Sequence, residues 1–223
     1  MTREETAGLI AAGRRAVRDA VGVGAGAVVL GEVGIGNTTA SAALLAALCG
    51  VSPRAVVDGG ARPTRTIDRA TLRRKRGIVS RALKAARAGG GMEEGPGGML
   101  RWLGGAEHAA IVGAVLEASD LDVPVIVDGF ISTVAALAAA EMHPRVTRVM
   151  LLATSSAERG HKIAVGRIQM HAKRCGLPPL PAPALAMGLR LGEGTGGILA
   201  VPLLRASVAM VRMGSLADVV GGG

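Results

Sequence analysis

Hydrophobic and polar positions along the chain predict short strands that alternate with helices. Predominantly apolar runs occupy residues 27–30, 123–127 and 147–153. Such runs, without a regular polar face, are typical of strands in a parallel sheet that is covered on both faces. Residues 54–57 are predicted as a further short strand. The alternation indicates an α/β fold, with a parallel sheet and helices on both of its faces.

Capping residues and apolar periodicity predict where the helices begin and end. Thr2 and Glu5 have capping-box spacing at the start of a helix over residues 3–20. Asp68 is a suitable N-cap for a basic helix that runs to about residue 87. We expect further helices over residues 37–49, 104–119, 132–141 and 195–212 and from residue 161 onward, a flexible loop over 89–98 and an extended loop over 176–184.

Polar side chains follow the predicted strands. Glu32 comes shortly after the first strand, Asp128 directly after the second, and Ser155 and Ser156 after the third. Ligands of parallel α/β sheets bind outside the carboxyl ends of the strands. The sequence therefore predicts a ligand site at this edge of the sheet.

Composition excludes several kinds of binding site. Trp102 and Phe130 are the only aromatic residues among 223, so the chain cannot build an aromatic platform for bases or sugars. The net charge of +9 is compatible with nucleic acid or phosphate-bearing partners. A solvated arginine-rich surface explains the same charge, and we expect no nucleic-acid partner.

Cysteine usage and the N-terminus indicate the compartment. Cys49 and Cys175 have neither the spacing of a disulfide framework nor that of a metal site, so we expect no metal. Unpaired cysteines are typical of a reducing compartment. We find no apolar stretch long enough to span a membrane, and the first six residues lack the apolar core of a signal peptide. A cytoplasmic protein without a membrane partner is expected.

One candidate site is the glycine-rich segment Gly-Glu-Val-Gly-Ile-Gly-Asn-Thr-Thr over residues 31–39, between a strand and a helix. Backbone N–H groups at such a turn hold phosphate, which favours Gly34 and Gly36 as contacts. The segment is not a nucleoside triphosphate loop, because Asn37 stands where that loop needs lysine. A structural turn without a ligand is the alternative, although Glu32 has no evident structural use there.

The other candidate is Leu-Arg-Leu-Gly-Glu-Gly-Thr-Gly-Gly over residues 189–197, again with a glycine-flanked carboxylate at a predicted helix start. Negative charge near a helix N-terminus is favourable by itself, which is the structural alternative. We predict instead that Glu193 and Glu32 face one pocket, where a carboxylate can act as a general base.

Five motifs follow one another along the chain. They are residues 31–39, Gly-Gly-Ala-Glu (104–107), Val-Pro-Val-Ile-Val-Asp-Gly-Phe-Ile-Ser (123–132), Ser-Ser-Ala-Glu-Arg-Gly-His (155–161) and Arg-Leu-Gly-Glu-Gly-Thr-Gly (190–196). Together they resemble the nicotinate-nucleotide–dimethylbenzimidazole phosphoribosyltransferases. The resemblance implies a Rossmann-like parallel sheet with a small helical subdomain formed by the chain ends, a homodimer, and no cofactor. It implies an N-terminal helix over residues 1–25, an α/β domain over 26–200 and a C-terminal helix and tail over 201–223.

The resemblance also implies a reaction. Members of this family transfer the phosphoribosyl group of nicotinate mononucleotide to 5,6-dimethylbenzimidazole, giving nicotinate and α-ribazole 5′-phosphate for cobalamin. Glu193 corresponds to the catalytic base of the family, and Glu32 to a second active-site glutamate. Family position makes Lys75 a phosphate ligand, although its charge run is also typical of a solvated helix face. Further substrate contacts are expected at Asn37, Asp128, Ser155, Ser156 and Gly192, with loop hydrogen bonding or helix capping as the alternative for Asp128 and the two serines.

Two departures from the family pattern bear on activity. The glycine-rich loop Gly-x-Gly-Thr-Gly is replaced by residues 59–66, where Arg62 and Arg65 are candidate substitutes for phosphate binding. The N-terminal segment that supplies part of the benzimidazole pocket is expected to be lacking. The alternative function is therefore that of a catalytically impaired or non-catalytic truncated homologue that binds a phosphorylated ligand or a partner subunit.

Overall fold

A computed structural model of the protein describes residues 1–57 and 68–211. In this part of the chain, three short strands are separated by helices, with five consecutive helices between the first strand and the second. In order, the elements are α1 (Arg3–Gly22), β1 (Val28–Leu30), α2 (Asn37–Cys49), α3 (Pro53–Val56), α4 (Arg69–Ala88), α5 (Gly95–Leu103), α6 (Ala106–Asp120), β2 (Val125–Val127), α7 (Phe130–Met142), a 3₁₀ helix (Pro144–Val149), β3 (Met150–Leu152), α8 (Arg159–Arg174) and α9 (Thr195–Val211).

The three strands form a parallel sheet in the order β1–β2–β3. Val28 pairs with Val125, which pairs in turn with Met150. This row and the row of Leu30, Val127 and Leu152 belong to the main core, together with residues of α2, α6, α7 and α8. The parallel α/β arrangement predicted from the apolar runs is confirmed.

The middle row of the sheet faces the other way. Val29 and Ile126 pack with Ala200 of α9 in a second, smaller core. Helices therefore cover both faces of the sheet, α9 on one side and the larger group of helices on the other. The predicted boundaries at residues 25 and 200 stay a prediction.

Small residues let α1 pack closely on α6. A methyl group at Gly13 would lie 1.8 Å from the carbonyl oxygen of Ala110, and one at Gly113 would lie 2.0 Å from that of Ile10. At these two positions the backbone of one helix lies directly against the other, so no side chain fits. The start of α1 has the predicted capping box, since the Glu5 N–H donates to Thr2 Oγ1 at 3.0 Å and the Thr2 N–H to Glu5 Oε2 at 2.7 Å.

Three local predictions are wrong. Residues 54–57 form no strand, because Pro53 begins the one-turn helix α3, where its fixed φ is favourable. The predicted loop over 89–98 contains the start of α5, which has a proline in its first turn. Residues 147–149 belong to the 3₁₀ helix, and β3 begins only at Met150. Residue 212, the predicted end of α9, and residues 59–66 lie outside the described residues.

Among the residues that the structure describes, no helix combines the length and the apolar character needed to span a membrane.

Candidate active site

The carboxyl ends of the strands border one cavity of about 310 Å³. Residues of the turn after β1, the segments after β2 and β3, and the loop before α9 line it. Of the predicted site residues, the structure places Glu32, Gly34, Asn37, Asp128, Ser156, Gly192 and Glu193 in the lining. The structure thus has a cavity at the edge of the sheet where the site was predicted, and its role as a ligand site stays a prediction.

The two glycine–glutamate turns are in contact. A methyl group on Gly192 would lie 2.6 Å from Oε1 of Glu32, and one on Gly31 would lie 3.1 Å from the backbone nitrogen of Gly194. Glu32 and Glu193, far apart in the sequence, line the same cavity. The prediction that both turns face one pocket is confirmed.

Glu32 has a perturbed carboxyl group. Its pKa is raised from 4.5 to about 7, and burial is the largest cause. The nearby charges of Glu107 and Asp128 also raise this pKa, while the backbone N–H of Glu193 and the amide of Asn37 lower it. The Asn37 Nδ2 group donates a hydrogen bond to Glu32 Oε2. The Glu32 carboxyl can therefore exchange a proton near neutral pH.

Glu193 lies on a strained part of the backbone. Its φ is +59°, between +82° for Gly192 and +77° for Gly194. A left-handed conformation is unfavourable for a residue with a side chain and persists where the surroundings fix it. Glu193 is exposed and is one of the residues that line the cavity.

Asp128 binds the backbone at the start of α9. Its Oδ2 accepts a hydrogen bond from the Gly194 N–H at 3.2 Å, and its Oδ1 accepts one from the Gly197 N–H at 3.0 Å. Burial raises the pKa of this carboxyl, while the N–H groups of Gly197, Gly196 and Gly194 lower it. The loop-hydrogen-bonding alternative for Asp128 is therefore present in the structure.

The start of α2 borders the cavity from another side. Its N-cap, Gly36, provides no side-chain hydrogen bond to the first turn. Thr38 lines the cavity, and Lys75 Nζ donates to its hydroxyl at 3.3 Å. Lys75 thus lies behind Thr38, in a smaller adjoining crevice.

Three of the predicted site residues do not line the main cavity. They are Gly36, Lys75 and Ser155. The backbone N–H of Ser155 donates instead to the carbonyl of Leu185 at 2.8 Å.

Several residues of the site were not predicted. Glu107 at the start of α6 lies beside Gly34, where a methyl group would be 3.6 Å from its carboxyl carbon. Its place in the Gly-Gly-Ala-Glu motif was the available signal. Thr154 and Glu158 line the cavity as buried polar residues, and Arg190 is the basic side chain among the described lining residues.

His161 is buried near the site at the start of α8. Burial lowers its pKa to about 4, so the ring is neutral at physiological pH. An interaction with the backbone of Thr154 opposes this shift by raising the pKa. Over residues 1–57 and 68–211, no cluster of three or more His, Cys, Asp or Glu side chains is arranged to hold a metal ion.

Comparison with known proteins defines the class. A family model described as a phosphoribosyltransferase matches residues 1–219. The nicotinate-nucleotide–dimethylbenzimidazole phosphoribosyltransferase of Chromobacterium violaceum is 43% identical over 211 residues, which are 94% of this chain and 56% of that protein. The protein of the same name from Thermus thermophilus is 42% identical over 218 residues, 98% of this chain and 59% of its own length. The crystal structure of CobT from Thermus thermophilus matches with a TM-score of 0.80 at 40% identity, covering 98% of this chain and 60% of that one.

The family model and the fold thus place the chain among the phosphoribosyltransferases. More narrowly, the chain belongs to the nicotinate-nucleotide–dimethylbenzimidazole phosphoribosyltransferase family, as its motifs predicted. It spans 56% to 60% of the length of these relatives.

Proposed function

We propose that the protein, at this cavity, transfers the phosphoribosyl group of nicotinate mononucleotide to 5,6-dimethylbenzimidazole, in the synthesis of the cobalamin nucleotide loop. The products are α-ribazole 5′-phosphate and nicotinate. The observation that supports this most is the convergence of Glu32 and Glu193 on one cavity, in a chain whose relatives are named for this reaction.

The proposed step is a displacement at the anomeric carbon. An azole nitrogen forms a bond to C1′ while the bond from C1′ to the pyridinium nitrogen of nicotinate breaks. The electron pair of the breaking bond stays on the pyridine nitrogen, which becomes neutral, so departure needs little acid assistance. Attack from the face opposite the leaving group converts the β configuration to α. Holding both rings in line with C1′ supplies much of the rate acceleration.

The azole must lose the proton on its other nitrogen. We assign this proton to the Glu193 carboxylate, which the left-handed turn presents to the cavity. Glu32 lies on the adjoining turn, and its pKa of about 7 suits it to share or relay that proton. Asn37 orients Glu32 by donating to its carboxylate.

The 5′-phosphate is assigned to the start of α2. Gly34 and the uncapped first turn after Gly36 offer backbone N–H groups and the positive end of a helix dipole. The cavity wall is otherwise rich in carboxylates, which repel phosphate. Lys75, one hydroxyl away behind Thr38, and Arg190 on the wall supply compensating positive charge.

We propose a homodimer in the cytoplasm. Exposed apolar side chains of α9, among them Ile198, Leu203 and Met210, favour a second copy as partner. Free Cys49 and Cys175 are compatible with a reducing compartment. Light scattering coupled to gel filtration tests the dimer, and a mass of 22.3 kDa would contradict it.

The activity is tested by incubating the chain with nicotinate mononucleotide, with and without dimethylbenzimidazole. Mass spectrometry should detect nicotinate and α-ribazole phosphate in equal amounts, and only with the azole present. Glu193→Gln should lose this product formation, and Glu117→Gln is its matched control, since Glu117 is a buried glutamate that binds Arg14 on α1 outside the cavity lining. Release of nicotinate in the absence of dimethylbenzimidazole would contradict the proposal, as would binding of nicotinate mononucleotide without formation of any product.

A further inference from the structure

Asp128 makes contacts that a residue acting only in substrate binding would not need. It is 2% exposed, and each carboxylate oxygen accepts a backbone N–H from the segment that begins α9. One of these donors, Gly194, directly follows Glu193 in the sequence. Asp128 is therefore bound to the turn that carries the proposed base.

The same turn is held from its other side by Glu32. The backbone N–H of Glu193 interacts with the Glu32 carboxylate, and the next N–H, that of Gly194, donates to Asp128. Two consecutive amides thus face two different carboxylates. Successive N–H groups in such a turn form a concave site for anions, which here the protein fills itself.

This double attachment explains how an unfavourable backbone is maintained. Gly192, Glu193 and Gly194 are all left-handed, and Glu193 has a side chain. Conformations of this kind persist only where the surrounding structure fixes them. Close packing at the start of α9 adds to the restraint, since a methyl group on Gly196 would lie 2.6 Å from Asp128 Oδ1.

We propose that Asp128 is a positioning residue, which fixes the Glu193 turn through the Gly194 and Gly197 amides and does not bind substrate. This inference rests on the proposed function only for its catalytic consequence. The hydrogen-bonding part stands independently and has its own readout.

The test compares Asp128→Asn with Thr147→Val. Asparagine keeps one oxygen acceptor and places an NH₂ group against the other backbone N–H. Thr147→Val removes a buried hydrogen bond to the Pro144 carbonyl at the opposite end of β3, so it controls for a general loss of stability. We measure amide hydrogen exchange at Gly194 and Gly197, the Kd of nicotinate mononucleotide, and kcat.

In Asp128→Asn we expect faster exchange at Gly194 or Gly197 and a Kd within about twofold of wild type. We expect kcat to fall by about ten- to a hundredfold, because misplacing a catalytic group by about 1 Å costs this much. In Thr147→Val, stability should fall while the exchange of both amides and kcat stay unchanged.

Unchanged protection of both amides in Asp128→Asn would overturn the proposal, as would a weakened Kd with normal kcat, which indicates a substrate ligand. If Asp128→Asn does not fold, rapid exchange of the Gly194 amide in the wild-type protein would overturn it and slow exchange would support it. If the wild-type chain has no turnover, the proposed function fails, while the exchange comparison still decides the role of Asp128 in the turn.

Discussion

Replacing Gly192 by alanine tests the contact between the two glycine–glutamate turns. The new methyl group would lie 2.6 Å from Glu32 Oε1, whereas ordinary contact begins at 3.4 Å, so the carboxylate must move by about 0.8 Å. The φ of +82° adds a backbone cost of about 1–2 kcal/mol. A displacement of this size reduces the activity of a positioned catalytic group by about ten- to a hundredfold.

Gly188→Ala provides the matched control. Gly188 lies on the same loop with a φ of +65°, but a methyl group there meets nothing within 4 Å. Both variants should therefore lose similar stability, lowering Tm by about 2–8 °C. Only Gly192→Ala should lose activity, measured as kcat/KM for α-ribazole phosphate formation.

Equal kcat/KM values for Gly192→Ala and Gly188→Ala would refute this reasoning. The result would mean that the position of the Glu32 carboxylate beside the Glu193 turn is not required for transfer. A Tm loss much larger in Gly192→Ala would indicate instead that the backbone, not the Glu32 side chain, absorbs the overlap.

Three further predictions concern stability. In a urea titration, Gly113→Ala should lower the free energy of unfolding by about 3 kcal/mol or more, because its methyl group would lie 2.0 Å from the Ile10 carbonyl oxygen. The control is Gly8→Ala on α1, whose methyl group has no atom within 4 Å and should not destabilise the protein. Folding raises the pKa of Glu32 from 4.5 to about 7, so the folded state binds this proton more tightly than the unfolded state. The protonated Glu32 carboxyl therefore stabilises the protein at low pH, and this stabilisation is lost as pH rises from 4.5 to about 7. Glu32→Gln should lack this pH dependence. Folding lowers the pKa of His161 from 6.5 to about 4, so the free energy of unfolding should fall as pH drops between these values. His161→Gln should lack this pH dependence. For Glu32 and for His161 alike, an equal pH dependence of stability in variant and wild type would contradict the assignment.

The fold was largely predictable because buried parallel strands and capped helices leave local signals. The apolar runs at β1, β2 and β3 and the Thr2 capping box were sufficient to place these elements. The errors arose where different structures share a local pattern. Residues 54–57 carry strand-forming valines, but Pro53 begins a helical turn there. Residues 147–149 precede β3, and their valine and threonine do not distinguish a strand from a 3₁₀ turn.

The residues that line the cavity were predictable where they come shortly after a strand or lie between glycines. Glu32, Asp128 and the Glu193 turn were found because glycine-flanked or strand-terminal carboxylates are recognisable in the sequence. The proximity of Glu107 to Gly34 and Glu32 was not predicted, because it depends on how the start of α6 lies beside the turn after β1. Ser155 carries the same local signal as Ser156, and only the pairing of its backbone with Leu185 separates the two.

We propose that the Glu193 carboxylate receives the azole proton in the cavity that it shares with Glu32. The most direct measurement compares wild type with Glu193→Gln for two quantities, the Kd of nicotinate mononucleotide by calorimetry and the rate of α-ribazole phosphate formation. We predict an unchanged Kd and a rate lower by about 10²–10⁴-fold, the range of general-base catalysis. An unchanged rate, or a loss of rate fully explained by weaker binding of the mononucleotide, would contradict the assignment.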